Sequence, residues 1–501
     1  MQYIVDGPFH WLSPIAMLHS LAKQVLRPYV TQGLWRTANM DAQAAPFTPP
    51  APVPRKRDNI PSLFEIVRTV FRNPLEVWGE PSYEDMWITT RFLNERTIIV
   101  NDPGLIRHVL VDNVRNYRMG TIRQLILRPI LRDGLLTAED EVWKRSRKAV
   151  APVFTPRHAA GFADAMLACT EQRAACYEAD ADCGATRDIA VDMTDLTFDI
   201  LSQTLFSGEV AKTSDDFAGD VERLLHTMGR VDPLDLLKAP SWLPRPTRIG
   251  GGKVMAQFRG VVDDVMNQRR ARMVAGEKVP DDFLTLLLKR EGPDGLTTDE
   301  IKDNIITFIG AGHETTARAL AWTLYCLARS PVERDHVEAE IDAFMAGEVP
   351  APQDWLDRLP KTRAAFEETM RLYPPAPSIN RMAIEADTWS GVEIPKGITV
   401  LMMPWTLHRH RKLWDQPDAF WPQRFWPENR DKIDKYQYLP FGAGPRICIG
   451  ATFALQEAII ILAVLLHRYR FDMAPGAPEP YPVQKLTTQP QGGVQMNVTR
   501  R

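Results

Sequence analysis

Residues 301–329 run without a proline, preceded by Thr297-Thr298-Asp299-Glu300 and followed by Ser330-Pro331. Thr297 as N-cap with Glu300 three residues on forms a capping box, in which each side chain satisfies the other's backbone N–H. A long helix is therefore predicted, ending before Pro331. Its apolar positions around Ile305, Ile306, Phe308 and Ile309 occupy most faces, so it must run through the protein's centre. Its middle reads Gly310-Ala311-Gly312-His313-Glu314-Thr315-Thr316. Small residues followed by an acid and an alcohol make a poor helix interior by propensity. That local cost points to a functional site, where backbone is approached by a bulky group and carbonyls are freed from helix bonding. Taken alone, such a patch is also what a close helix–helix contact requires.

The remaining chain is predicted mainly α with a minor β-sheet. Residues 139–370 carry helical patterning, broken at Asp232-Pro233, over 244–252 and at Glu291-Gly292-Pro293. Alternation at Trp87, Thr89, Phe92, Ile98 and Val100 suits a small antiparallel sheet, and Asp102-Pro103 caps and opens a helix. Strand signals return over 380–403, interrupted by the turn Ile394-Pro395-Lys396-Gly397. With 45% hydrophobic and 25% charged residues, the 501-residue chain has ample core material, and no flexible linker divides it beyond about residue 60. A net charge of −3 argues against a general nucleic-acid binder.

Before that point lies an arm, residues 1–57, ahead of a main unit over 58–501. Ser13-Pro14 reads as a helix start, and Ile15, Leu18, Leu21, Ala22, Val25 and Leu26 share one face. Such a helix packs on the main body, or makes peripheral membrane contact, or serves targeting. The proline-rich residues 46–54, ending in Arg55-Lys56-Arg57, read as an extended tether. No run reaches the roughly 18 apolar residues of a membrane span, so the expectation is a soluble, cytoplasmic monomer.

Five cysteines, at 169, 176, 183, 326 and 448, form no metal or disulfide framework, which favours a reducing compartment. Cys448 stands apart, in Phe441-Gly442-Ala443-Gly444-Pro445-Arg446-Ile447-Cys448-Ile449-Gly450. The glycines let backbone amides approach the sulfur, Pro445 stiffens the turn, and residues 451–466 continue as an apolar helix. Partial positive charge at that helix N-terminus is expected to lower the thiol's pKa and suit it to ligate iron. A buried structural cysteine is the alternative.

Other motifs fail on spacing. The loop 249–253 lacks a P-loop glycine at Thr247 and its hydroxyl residue at Val254. Ile447 stands where a dinucleotide loop needs its third glycine. A zinc-protease helix needs histidine at 317, which is alanine. His313 itself is expected to be a packing residue.

The pattern Phe-x-x-Gly-x-Arg-x-Cys-x-Gly over 441–450 resembles the heme-binding signature of the cytochrome P450 family, and other constellations occur in that family's order. The resemblance implies the cytochrome P450 fold, with heme b held between the long central helix and the cysteine loop. Cys448 would supply the axial thiolate, flanked by Phe441 and Gly450. Thr315 would hydrogen-bond dioxygen, Glu314 would help supply protons, and loose packing beside Ala311 and Gly312 would leave room. Glu368 and Arg371, three apart on a helix, would form a buried charge cluster with Arg424 of Trp421-Pro422-Gln423-Arg424-Phe425, where Gln423 replaces a more usual glutamate. Trp143, Arg147, Arg381 and Arg446 would hold the heme propionates.

The function implied is insertion of one oxygen atom from dioxygen into a hydrophobic small molecule. Electrons would come from an external ferredoxin, flavodoxin or flavoprotein reductase, since the chain carries no flavin, nucleotide or iron–sulfur motif. Lys144, Arg145 and Lys148 could form a basic docking face for such a donor or a solvated surface. A heme-thiolate isomerase, a peroxide-driven enzyme and a non-catalytic heme sensor remain as alternatives. Pocket residues are expected within 117–127, 224–231, 305–311 and 376–379.

Overall fold

The computed structural model describes residues 46–501 apart from 93–94, 156–157, 159, 211–244 and 246–250. The expected helix over 13–27 and the pocket segment 224–231 lie outside the described residues.

The helix predicted at the centre is α4 (Thr298–Arg329) in our numbering, which also uses α1 (Asp140–Val150), α2 (Ala163–Cys176), α3 (Ile189–Phe206), α5 (Pro360–Leu372) and α6 (Ala451–Arg468). Its capping box forms as expected. Glu300 N–H donates to Thr297 Oγ1 at 3.1 Å, and Thr297 N–H donates to Glu300 Oε2 at 2.9 Å. Its 32 residues span about 48 Å at about 1.5 Å each, and they are buried over most of that length.

Neighbouring helices explain the poor propensity at its middle in part. A Cβ on Gly312 would lie 2.3 Å from Leu201 Cδ1 of α3, so glycine here permits close helix packing. The expectation of loose packing beside Gly312 is therefore corrected. Beside it, Thr197 Oγ1 donates to the His313 carbonyl at 3.0 Å, and Phe198 meets the His313 ring edge to face at 5.7 Å. His313 also bonds the Ile309 carbonyl through Nδ1 at 2.8 Å and is buried, a packing residue as expected. Farther along α4, Trp322 stacks on Tyr373 with ring centroids 3.8 Å apart.

The minor sheet contains β1 (Trp87–Phe92), β2 (Glu95–Val100), β3 (Tyr117–Met119), β4 (Ile379–Ala383) and β5 (Thr399–Met402) in the order β1-β2-β5-β4-β3. All pairs are antiparallel except β2 with β5. In β4, Arg381 faces Met119 on one side and Val400 on the other. A separate hairpin of β6 (Tyr481–Gln484) and β7 (Thr488–Gln491) lies near the chain's end.

The proline-rich stretch carries no helix or strand, and it is seated on the main body. The Phe47 carbonyl accepts from Phe420 N–H at 2.8 Å, the Pro50 carbonyl from Tyr373 Oη at 2.8 Å, and the Arg55 carbonyl from Glu80 N–H at 2.8 Å. Proline's missing N–H explains the pattern, since the strap binds through its carbonyls. Among the described residues one helix, α6, is long and apolar enough to cross a membrane, and it is mostly buried within this fold.

Candidate functional site

Cys448 lies between a 3₁₀ turn, Gly444–Arg446, and the start of α6. Two constraints fold this loop. The Cys448 N–H donates to the Phe441 carbonyl at 2.9 Å, closing it. Gly444 has φ +73°, and a Cβ there would lie 1.9 Å from the Leu110 carbonyl oxygen, so only glycine fits. Leu110 belongs to a π-helical turn, His108–Asp112, that the sequence reading did not anticipate. That turn is fixed by Asp387, whose Oδ2 bonds His108 at 2.8 Å, Asn113 at 2.9 Å and Tyr117 Oη at 2.7 Å. Tyr117, placed among the expected pocket residues, instead turns its hydroxyl to this cluster.

The Cys448 residue is exposed, while protein mass surrounds its sulfur closely enough that burial pushes the thiol pKa up. The Gly450 N–H and the Arg147 guanidinium pull it down by less. This corrects the expectation of a net lowering: the helix terminus does act on the sulfur, and desolvation outweighs it. A metal bound at the sulfur would supply the missing positive charge.

Arg147 Nη1 donates to the Ile447 carbonyl at 3.0 Å, which brings α1 against the cysteine loop. One turn before it on α1, Trp143 carries the Arg446 guanidinium over its ring at 4.6 Å. Arg446 also bonds Glu139 and the Ala138 carbonyl, the latter at 2.8 Å. Arg381 comes from the sheet side on β4, buried, with Nη1 on the Asn380 carbonyl at 2.9 Å. Two residues before it, Ile379 on the same strand face sits 3.8 Å from the Cβ position of Gly442. Trp143, Arg147, Arg446 and Cys448 are thus gathered directly, and Arg381 is placed beside them by strand alternation.

Helix α4 changes character over this region. Ala311 is exposed and Thr315 half-buried, although buried residues dominate the turns on either side. Thr315 Oγ1 donates to the Ala311 carbonyl at 3.0 Å. Glu314 turns the other way and is buried. Its Oε1 accepts from Thr487 Oγ1 at 2.8 Å and from Gln489 Nε2, both at the β6–β7 hairpin, and Arg318 Nε lies 3.9 Å off. The acid and the alcohol are adjacent in sequence and point to different surroundings. Helix α6, which begins at the cysteine loop, meets α4 one residue later, where Thr316 hydrogen-bonds Glu457.

The charge cluster forms without a gap. Arg371 places Nε and Nη2 on the two Glu368 oxygens at 2.7 and 2.8 Å, and it donates to the carbonyls of His408, Pro417 and Ala419 at 2.6, 2.6 and 2.9 Å. Arg424 Nε reaches Glu368 at 3.2 Å, and burial pushes its own pKa down to about 10 against the pull of Glu368. Gln423 is outside the cluster, with Nε2 donating to Glu333 at 2.8 Å. A glutamate there would face a second carboxylate, which explains the amide. Of the basic residues on α1, Arg145 pairs with Glu300 at 2.6 Å and Lys144 with Glu141 at 2.7 Å, while Lys148 is exposed.

This donor set suits a flat, largely apolar group with a thiophilic metal and anionic substituents. It offers one exposed cysteine in a glycine loop, arginines beside it, and small or open positions in the middle of α4. A protein-family model described as Cytochrome P450 matches residues 62–498. Similar curated proteins include cyclooctatin synthase of Streptomyces melanosporofaciens, 31% identical over 84% of this chain and 90% of that protein. Another is the chloroplastic protein LUTEIN DEFICIENT 5 of Arabidopsis thaliana, 28% identical over 81% of this chain and 70% of its own length. Among solved structures, the cytochrome P450DA heme domain superposes with a TM-score of 0.74 at 25% identity, covering 90% of this chain and 98% of that one.

Proposed function

The chain belongs to the cytochrome P450 family, and from that premise we propose that it oxygenates a hydrophobic small molecule with electrons delivered by a separate protein. The observation that carries this reading is the exposed residue Cys448 in its glycine loop with the Arg147 guanidinium in its field, together with a central helix that exposes Ala311 and half-exposes Thr315. Heme b, when bound, supplies the electron-rich iron–thiolate chemistry that splits the O–O bond.

This chain's residues do the rest. Cys448 would hold the metal as thiolate, with the Gly450 N–H bonded to the sulfur. Arg147, Arg381 and Arg446 offer guanidinium donors to carboxylates, and Trp143 fixes the plane of Arg446. Thr315 holds a proton at Oγ1, now shared with the Ala311 carbonyl, where dioxygen would be reduced. Glu314 is the nearest acid in sequence, and it can serve only by turning from Thr487 and Gln489 or by passing protons through them. Of the expected pocket residues on α4, Ile305, Ile306 and Phe308 are packed into the core, Phe308 against Phe154 and Phe283, so the apolar substrate is inferred from the family and not from these side chains. One relative is named cyclooctat-9-en-7-ol 5-monooxygenase, so alicyclic alcohols are a reasonable first panel.

The test compares two conditions for the heme-loaded full chain: dioxygen with a surrogate reductase and an electron source, and peroxide alone. Product that carries one atom from labelled dioxygen and needs the reductase is expected. Rearranged product containing no added oxygen, or equal turnover with peroxide alone, would replace this reading with an isomerase or peroxide-driven one.

A further inference from the structure

One oxygen of Asp387 gathers three side-chain donors. Its Oδ2 accepts from His108 Nε2 at 2.8 Å, Asn113 Nδ2 at 2.9 Å and Tyr117 Oη at 2.7 Å, while Oδ1 accepts from the Thr388 N–H at 2.8 Å. Burial opposes ionisation here, and the bonds from Tyr117, His108 and Asn113 outweigh it. The carboxyl is lowered to about 2 and stands as an anion at neutral pH.

Two of those donors mark the ends of the π turn. His108 opens it, Asn113 follows its last residue, and the Asn113 N–H closes onto the His108 carbonyl at 2.8 Å. Such turns are rare and put one extra residue into a helical run, here directly after the helix Pro103–Arg107. A single anion bonded to both ends keeps this one from relaxing to α-helical register. Between the ends, the Leu110 carbonyl fills the space that a side chain at Gly444 would need, with Val111 Cγ2 at 3.6 Å from the same point. Relaxation of the turn would carry that carbonyl away from the cysteine loop.

The third donor reaches the same loop by a separate route. Tyr117 opens β3, whose Met119 N–H donates to Glu139 Oε1 at 2.8 Å, and Glu139 Oε2 pairs with Arg446. Met119 also faces Arg381 across the β3–β4 pairing. One carboxylate therefore bears on the loop at Gly444 and at Arg446, four and two residues before Cys448.

We propose that Asp387 is a positioning residue for the cysteine ligand: it clamps the π turn against Gly444, steadies Arg446 through Tyr117 and Met119, and so sets where the Cys448 sulfur stands. It touches neither substrate nor metal. The inference rests on the heme-thiolate reading, which the carbonyl band of the wild-type ferrous protein checks by itself.

The experiment uses the heme-loaded full chain and compares wild type with Asp387→Asn, Asp387→Glu, Asn113→Ala and Tyr117→Phe. Tyr469→Phe is the control, because it removes another buried phenol's bond, to the Ala174 carbonyl at 2.8 Å, at the far end of α6. Each variant is read by its reduction potential, by its melt, and by the rate at which the red-shifted ferrous–carbonyl band converts to the unshifted one in dilute denaturant. Asp387→Asn removes the charge that three donors share and is expected to speed that conversion about tenfold. It is also expected to raise the potential, since a less firmly placed thiolate donates less charge to the metal. Asn113→Ala should act in the same direction by less, and glutamate at 387 should recover part of the loss. Tyr117→Phe is expected to speed conversion less than Asp387→Asn does, while Tyr469→Phe lowers the melt and leaves band and potential as in wild type. Should Asp387→Asn not fold, Asn113→Ala decides alone, because it cuts one donor and keeps the anion. Wild-type conversion and potential in the deciding variant would overturn the proposal and leave the monooxygenase reading intact. Equal conversion in Tyr469→Phe would overturn it too, by reducing Asp387 to general stability. A wild type without the red-shifted band would remove the heme-thiolate reading itself, and the proposal with it.

Discussion

The cluster around Glu368 and the loop around Cys448 are both built from charged or ionisable groups, and they are finished differently. In the cluster, Glu368 and Arg371 are fully buried and all five Arg371 N–H donors are used. At the cysteine loop, Cys448 and Ile447 are exposed, as is Ala311 on α4, and the arginines meet a single carboxylate, Glu139 on Arg446, while Arg147 donates to the Ile447 carbonyl and Arg381 to the Asn380 carbonyl. Full pairing is what water exclusion demands of a scaffold, because a buried unpaired charge costs several kcal/mol. Incomplete pairing is tolerable only where another group is to be received. The difference separates residues that hold the fold from residues that serve chemistry, although all of them sit in the same family signature.

Mutations should divide along that line. Arg371→Ala strands Glu368 in the core and is expected to cost about 3–5 kcal/mol, seen as loss of a cooperative melt. A melt like wild type would mean that the cluster is not a scaffold. Gly444→Ala forces a side chain onto the Leu110 carbonyl at positive φ, and about 1–3 kcal/mol is expected from backbone strain, with less heme retained on purification. Arg147→Ala removes one bond to Ile447 and should cost no more than about 1 kcal/mol in denaturant melts, yet speed heme transfer to a competing apoprotein. Equal heme transfer would move Arg147 to the scaffold side.

Thr315→Ala should leave stability within about 0.5 kcal/mol and send electrons to peroxide instead of product, measured as product formed per electron donor consumed. Unchanged coupling would remove Thr315 from proton delivery. The smallest effect concerns Glu457, whose carboxyl is pushed well above the usual range by burial in α6. The folded chain holds a proton there that the unfolded chain releases once the pH passes the ordinary carboxyl value of 4.5. Stability from this group is therefore lost as pH rises above that value, and the stability difference between wild type and Glu457→Gln should shift against wild type over the same range. A difference independent of pH would show that Glu457 is ionised in the fold.

Much of this division was legible in the sequence wherever a short local pattern encodes it. The Thr297–Glu300 box, the Glu368–Arg371 spacing on α5 and the glycines at 442 and 444 needed only neighbours a few residues away. What escaped depends on contacts between distant segments. Glu314 is met by Thr487 and Gln489, some 170 residues on, and no local signal marks those two as its partners. Gly312 read as room for a small molecule and proved to be the seat of Leu201, since a small residue in a helix has the same sequence signature in either case. Glu457 did carry a signal, as a lone acid in an apolar helix. The strap at 46–57 was read as a tether, and its docking could not be inferred because proline-rich chains give no pattern for what their carbonyls bind.

The central claim is that Cys448 is the metal ligand of a heme-thiolate enzyme, and the ferrous–carbonyl absorption spectrum of the heme-loaded chain tests it most directly. Wild type is expected to show the red-shifted band of thiolate ligation, and Cys448→Ala to lose it while Cys326→Ala, altering a buried cysteine elsewhere on α4, keeps it. A red-shifted band that survives in Cys448→Ala would contradict the account.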